Sequence, residues 1–193
     1  MKVIGLRKFL PICLFFAFSI ASSASVIWNQ PWDRVSGPTL ATRWSDDDRY
    51  SIYAFDDIWL PTAKTITRGV FYGHESGMKT NNDGVFLAIA PVPDIRFAQV
   101  IATGEQIEDN LYFTDPFVIP AGKWYITVYV SRAPFRGFNS GWLWYRTGPI
   151  ASSIGSEEHW VHDPNNNAGF GSEPYPGSVG FGTARQLAFK LSG

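Results

Sequence analysis

Apolar and polar residues alternate repeatedly beyond the first 24 positions of the chain. Over residues 123–131 the alternation is unbroken: Trp124, Ile126, Val128 and Val130 fall on one side, and Tyr125, Thr127, Tyr129 and Ser131 on the other. A period of two in β-branched and aromatic residues predicts a strand. Pro120-Ala121-Gly122 supplies the turn before it. Residues 65–72 predict a second strand, entered through Pro61-Thr62-Ala63-Lys64. Asn81-Asn82-Asp83-Gly84 is expected to turn the chain into a short apolar strand over 85–90. Leu187, Phe189 and Leu191 alternate with Ala188 and Lys190 in a closing strand. Further strands are expected over 51–60, 95–102, 111–119 and Gly141–Thr147.

No segment holds a helical period, and 18 Gly and 13 Pro are spread widely enough to interrupt one. Many short strands separated by turn signals predict an all-β fold. The expected architecture is an antiparallel two-sheet sandwich, jelly-roll-like. Its inner faces would draw on Ile66, Val70, Leu87, Ile89, Trp124, Ile126, Val128, Leu187 and Phe189. There is no fixed-period repeat and no linker. One segment, 155–182, is rich in Gly, Pro, Asn, Ser and Glu and is expected to be a long irregular surface loop.

The first 24 residues follow a different logic. Lys2, Arg7 and Lys8 precede an almost wholly apolar run over 9–20, and Ser22 and Ala24 sit where a signal peptidase reads small residues. This is the layout of a secretory signal peptide, 1–24, leaving one domain over 25–193. A dozen apolar residues is short of the ~20 a spanning helix needs. The expected location is secreted or periplasmic, with no membrane attachment after cleavage. Removing 1–24 takes three of the 16 basic residues and none of the 17 acids, so the charge moves from −1 to −4. The one cysteine, Cys13, leaves as well. The remaining 169 residues must therefore hold together by their core rather than by disulfides. Nothing in this balance offers the Lys/Arg clusters that meet nucleic acid.

A family resemblance rests on Ala54-Phe55-Asp56-Asp57-Ile58, on Thr65-Ile66-Thr67 leading to Val70-Phe71-Tyr72-Gly73, on residues 116–126, on Trp142-Leu143-Trp144 and on residues 187–193. With these the chain resembles a diffuse group of bacterial secreted β-sandwich proteins of unknown function, often found with PEP-CTERM-type sorting anchors. The resemblance implies a structural sandwich and no catalytic residues. The C-terminal Leu191-Ser192-Gly193 carries no apolar tail of the anchor type, so release is expected rather than surface attachment.

Acids cluster at Asp46-Asp47-Asp48 and at Asp56-Asp57. Calcium takes six to eight hard oxygen ligands, so Asp46, Asp48, Asp56 and Asp57 are the candidate metal ligands and calcium the ion they suit, with no cofactor otherwise indicated. Asp56 and Asp57 stand between apolar residues, where one carboxylate should face inward and need a partner. His159 and His162 lie in Glu157-Glu158-His159-Trp160-Val161-His162-Asp163, which lacks the helical spacing of a zinc motif; a satisfied polar loop is expected there. Glu75, Glu105, Glu157, Glu158 and Glu173 could supply the carboxylate pair of a polysaccharide hydrolase.

Aromatic residues make up 16% of the chain, and all eight Trp lie beyond residue 24. Trp124 is expected in the core. Trp142 and Trp144 share one face and must be inside or outside together. Trp32, Trp44 and Trp160 stand in loop-like surroundings, and with Tyr175 they are the candidate ligand-binding residues. Such rings stack on sugars when exposed and plug a sandwich end when buried. The sequence favours a non-catalytic module with a binding or extracellular-structural role, its partner a polysaccharide or extracellular matrix. A carbohydrate-binding module, stabilised by calcium, and a secreted hydrolase are the alternatives.

Overall fold

The computed structural model describes residues 24–34, 36–77, 81–135, 140–148, 159–166, 169, 171–181 and 185–193. Of the expected signal segment, 1–24, only Ala24 is among them. The strands are β1 (Val26–Gln30), β2 (Pro38–Leu40), β3 (Thr42–Trp44), β4 (Tyr53–Leu60), β5 (Lys64–Ile66), β6 (Arg68–Phe71), β7 (Gly73–Ser76), β8 (Asn81–Ala90) and β9 (Gln99–Ile107). Then come β10 (Asn110–Phe113), β11 (Phe117–Ile119), β12 (Gly122–Ala133), β13 (Gly141–Thr147), β14 (Trp160–His162), β15 (Tyr175–Pro176), β16 (Gln186–Leu187) and β17 (Phe189–Ser192). A five-residue helix, α1 (Gly177–Phe181), is the one α-helix among the described residues.

The fold is the all-β sandwich that the alternation predicts. A long curled sheet runs β1-β17-β6-β10-β9-β8-β12-β4-β14-β15, antiparallel throughout, with β3 added to β12 in parallel. β13 gathers β16, β2 and β7 into a second sheet, and β5 pairs with β11. The curl brings the β8-β12-β4 part opposite the β17-β6-β10 part and β13. Between them lies one apolar core: Ile58, Leu87, Ile126 and Val128 from one side meet Phe71, Phe113, Trp142, Trp144, Leu187 and Phe189 from the other. Trp142 and Trp144 are both inside. Trp124 is half-buried against the same core.

Two polar ties cross this interior. The Trp144 indole N–H donates to the Ala188 carbonyl at 2.9 Å. The Asp56 carboxyl, inward on β4, accepts the Leu187 N–H of β16 at 2.6 Å. Each satisfies a backbone group that would otherwise be buried unpaired.

β12 is covered on both faces. Its second face, with the outer positions of β4 and β8, carries a smaller cluster: Tyr53, Phe55, Ala90 and Tyr129, with Phe86, Tyr125 and Trp160 at its margin. This outer aromatic floor is the ground on which the candidate site is built.

Several expected elements differ. Residues 65–72 form two strands, because Thr67 leaves the ladder to bond the Ser192 carbonyl from its N–H at 2.8 Å. The interruption shifts the phase by one, so Phe71 enters the core and Val70, expected inside, faces out. Asn81-Asn82-Asp83-Gly84 is not a hairpin turn but part of β8. Asp83 is an extra residue opposite β12, where Ser131 pairs with Gly84 and Arg132 with Asn82. Gly84, at φ 147°, accommodates this bulge. The expected strand over 95–102 opens instead with a 3-10 turn at Ile95–Phe97, and β9 begins at Gln99. The expected loop 155–182 contributes β14, β15 and α1.

Candidate functional site

Pairing fixes where Trp160 points. β14 runs antiparallel to β4 with Trp160 opposite Phe55 and His162 opposite Tyr53. Opposed residues share a sheet face, so Trp160 and His162 join the outer floor with Phe55 and Tyr53. Val161 points the other way, packing with Ile52 and Tyr175. Tyr125 reaches the same floor from β12, opposite Asp57 on β4.

Over this floor folds the β8–β9 connection. Asp94 caps its 3-10 turn, accepting the Arg96 N–H at 2.8 Å and the Arg96 Nε at 3.0 and 2.9 Å. The Arg96 guanidinium then reaches Glu173 Oε2 at 2.9 Å. His162 holds the turn from below: its Nδ1 accepts the Ile95 N–H at 2.9 Å, with Asp94 Oδ1 at 3.3 Å. An Nδ1 that accepts carries no proton, so the ring is the Nε2–H tautomer.

Between turn and floor lies an open cleft of about 620 Å³, walled by Val92, Pro93, Phe97, Tyr125, Trp160 and Pro174, with Asp94, Arg96 and Glu173 along its edge. Phe97 is 60% exposed; Tyr125 and Trp160 are half-buried. Beside Tyr125, the Lys123 ammonium lies 5.2 Å from the ring centre and 3.0 Å from Asp57 Oδ2.

The charges around the turn are interlocked. Burial opposes ionisation of Asp94, but the Arg96 side chain, its backbone N–H and the neighbouring His162 outweigh it and hold the carboxyl below its usual value. Burial pulls the His162 imidazole down, and Arg96 adds to this against the pull of Asp94, so the ring is neutral near pH 7.

Of the four residues expected to bind ligand, only Trp160 lines this cleft. Trp44 is fully buried, its ring edge-on to Phe135 at 5.2 Å, because β3 is drawn in beside β12. Tyr175 is buried with Val161 and Ile52, where burial and the nearby Asp163 push its hydroxyl up to about 12. Trp32 stacks on Tyr145 at 3.9 Å, away from the cleft. Phe97, Tyr125, Asp94 and Arg96 escaped the sequence reading. Tyr125 was visible as the face of its strand opposite Trp124, and Asp94-Ile95-Arg96 has the spacing of a local cap.

The four candidate metal ligands are not brought together. Asp46 accepts the Phe135 N–H at 3.0 Å. Asp48 accepts the Ser51 hydroxyl at 2.8 Å and lies 3.5 Å from Arg43. Asp56 faces the core and Asp57 the outer floor. Both are buried, because β4 is covered on both sides. Among the described residues no three His, Cys, Asp or Glu side chains are grouped to hold a metal ion. His159 is a buried structural residue: Nδ1 donates to the Arg185 carbonyl at 2.8 Å and Nε2 accepts the Thr39 hydroxyl at 3.1 Å. A Cβ at Gly177 would overlap its ring.

Of the carboxylates considered for hydrolysis, Glu75 is paired with Arg132 and Glu105 is exposed on β9. Glu157 and Glu158 lie outside the described residues, and only Glu173 reaches the cleft. Among the described residues no helix is long and apolar enough to cross a membrane. No protein-family model matches this chain, and no curated protein matches it in sequence. What fold and site define is therefore a class: an all-β sandwich with an aromatic cleft on the outer face of its larger sheet.

Proposed function

We propose that this protein is an exported, non-catalytic binding module that holds a neutral saccharide in the outer cleft. The observation that carries the reading is the convergence of Phe97, Tyr125 and Trp160 on one open cleft. Its edge supplies the charge-assisted donors and acceptors of Asp94, Arg96 and Glu173. Apolar walls with a few fixed polar groups are the usual makeup of a small-molecule site. Ring faces suit the C–H side of a pyranose, and the ionic edge suits its hydroxyls. The outside face of a sheet leaves room for a chain to continue at both ends.

The hydrolase alternative has less support. Its general acid would need a raised pKa, whereas Asp94 and Glu173 both bond one guanidinium and Asp94 is held low. Export is supported by the 1–24 segment and by the resemblance to bacterial secreted sandwiches. β1 begins at Val26, just past the proposed cut, and Ser25 and Gly193 exchange backbone bonds at 2.7 and 2.9 Å.

Affinity electrophoresis in gels cast with neutral soluble polysaccharides tests the reading. At least one glucan, mannan or xylan should retard the wild type, and Trp160→Ala and Phe97→Ala should run freely while melting within a few degrees of it. No retardation across the panel defeats the proposal, and release of reducing sugar from any of them would restore the hydrolase.

A further inference from the structure

A second recess lies on the opposite half of the long sheet, built by the outward positions of β6, β10 and β17. It measures about 260 Å³ and is lined by Arg68, Val70, Tyr72, Tyr112, Lys190 and Ser192. Pairing sets its layout. Lys190, Val70 and Tyr112 stand side by side across three strands, and Ser192 stands opposite Arg68. Arg68 and Lys190 are therefore diagonal neighbours on one face, about 7–8 Å apart at the backbone. Tyr72, half-buried, and Tyr112 line the same recess as the two cations.

Neither cation forms an ion pair with a carboxylate among the described residues. The nearest acid along the row is Glu105 on β9, opposite Tyr112. Two like charges held side by side repel, and the exported chain is acidic overall. An uncompensated pair on an acidic protein is an arrangement that an anion would relieve.

We propose that this recess is a second binding site, for the carboxylate of a uronic acid residue in an acidic polysaccharide. Arg68 grips the carboxylate in two-point fashion, and Lys190 adds charge from the next strand. The Tyr72, Tyr112 and Ser192 hydroxyls serve the ring hydroxyls, and Val70 forms an apolar floor for the ring's C–H face. Two cations are too few for other polyanions. An anionic membrane is met by clusters of about four to eight Lys/Arg, and strong phosphate-backbone binding uses about six to ten contacts.

The site is separate from the outer cleft, so the two can be tested apart. Affinity electrophoresis with polygalacturonate at low salt should retard the wild type. Arg68→Ala/Lys190→Ala, and Lys190→Gln alone, should weaken retardation by about tenfold and several-fold, with melting temperatures unchanged because both residues lie at the surface. Trp160→Ala should leave it intact. Poly-glutamate and dextran sulfate in parallel gels should retard weakly or not at all. Equal retardation by these two would show simple attraction of anions and overturn the proposal. So would wild-type retardation unchanged in Arg68→Ala/Lys190→Ala, or no retardation by polygalacturonate.

Discussion

Replacing Asp56 tests the cross-sheet tie and the protonation state of a carboxyl buried in the core. Its two oxygens accept the Leu187 N–H at 2.6 Å and the Asp57 N–H at 3.0 Å. Asp56→Ala leaves both donors buried and unpaired at about 1–3 kcal/mol each, so a loss of roughly 2–6 kcal/mol is expected before any cavity is counted. Asp56→Asn keeps one acceptor but turns an amide N–H toward the other donor, for about 1–3 kcal/mol. The pH dependence discriminates further. Burial raises the Asp56 carboxyl well above its ordinary value, with Asp57 adding to it against the two N–H bonds. The native state then keeps a proton that the unfolded chain gives up above about pH 4. Wild-type stability falls as pH rises through that window, by about 1.4 kcal/mol per unit until the folded-state value is reached. Asn has no proton to lose, so its deficit should be largest near pH 4 and shrink toward neutrality. Other acids titrate alike in both proteins and cancel. Thermal melts at unit steps from pH 4 to 8 measure this, at roughly 2–4 °C per kcal/mol for a chain of this size. Parallel curves for wild type and Asp56→Asn would refute the protonated carboxyl, and a fully stable Asp56→Ala would refute the tie itself.

Trp44→Ala should cost about 3–5 kcal/mol of stability, seen as a large drop in melting temperature, whereas Trp160→Ala at the cleft wall should cost far less and act on binding. His162 is held below its ordinary pKa in the fold, so the unfolded chain binds its proton more tightly. Stability should be full above about pH 6.5 and decline as pH falls below it, a decline that His162→Gln should lessen in pH-resolved melts. Because the candidate aspartates are taken up by protein donors, EDTA should leave the wild-type melting temperature unchanged, and a fall of several degrees would reinstate calcium.

The strands most legible in the sequence were those whose partners merely had to exist. β12, β4 and β13 carry their pattern in their own residues, and Gly141–Thr147 is read from the sequence to the residue. Elements set by distant bonds were not legible. Thr67 leaves its ladder for the Ser192 carbonyl, 125 residues away, and the phase of Val70 changes with it. In Asn81-Asn82-Asp83-Gly84 the turn chemistry is present, since Asn82 accepts the Gly84 N–H at 2.9 Å, but the long ladder with β12 turns it into a bulge. β14 has three residues and no pattern of its own; its ladders with β4 and β15 make it a strand.

The site was hidden for a related reason. A tryptophan among Asp, Arg and His reads as a loop residue, yet Trp44 and Trp160 both belong to three-residue strands. They differ only in which side their neighbour turns inward. β3 lies beside β12 with Trp44 level with Arg132, at a sandwich end closed by Phe135 and Tyr50. β14 lies beside β4 with Trp160 on the outward face. Among the described residues nothing covers that face completely, because the Asp94–Arg96–Glu173 lock holds the β8–β9 turn at one side of the floor rather than across it. An aromatic outer floor, a turn fixed by its own charges and a strand placed by pairing thus combine into a cleft. Each part is ordinary, and it is their register on the far side of β12 that exposes ring faces to a ligand.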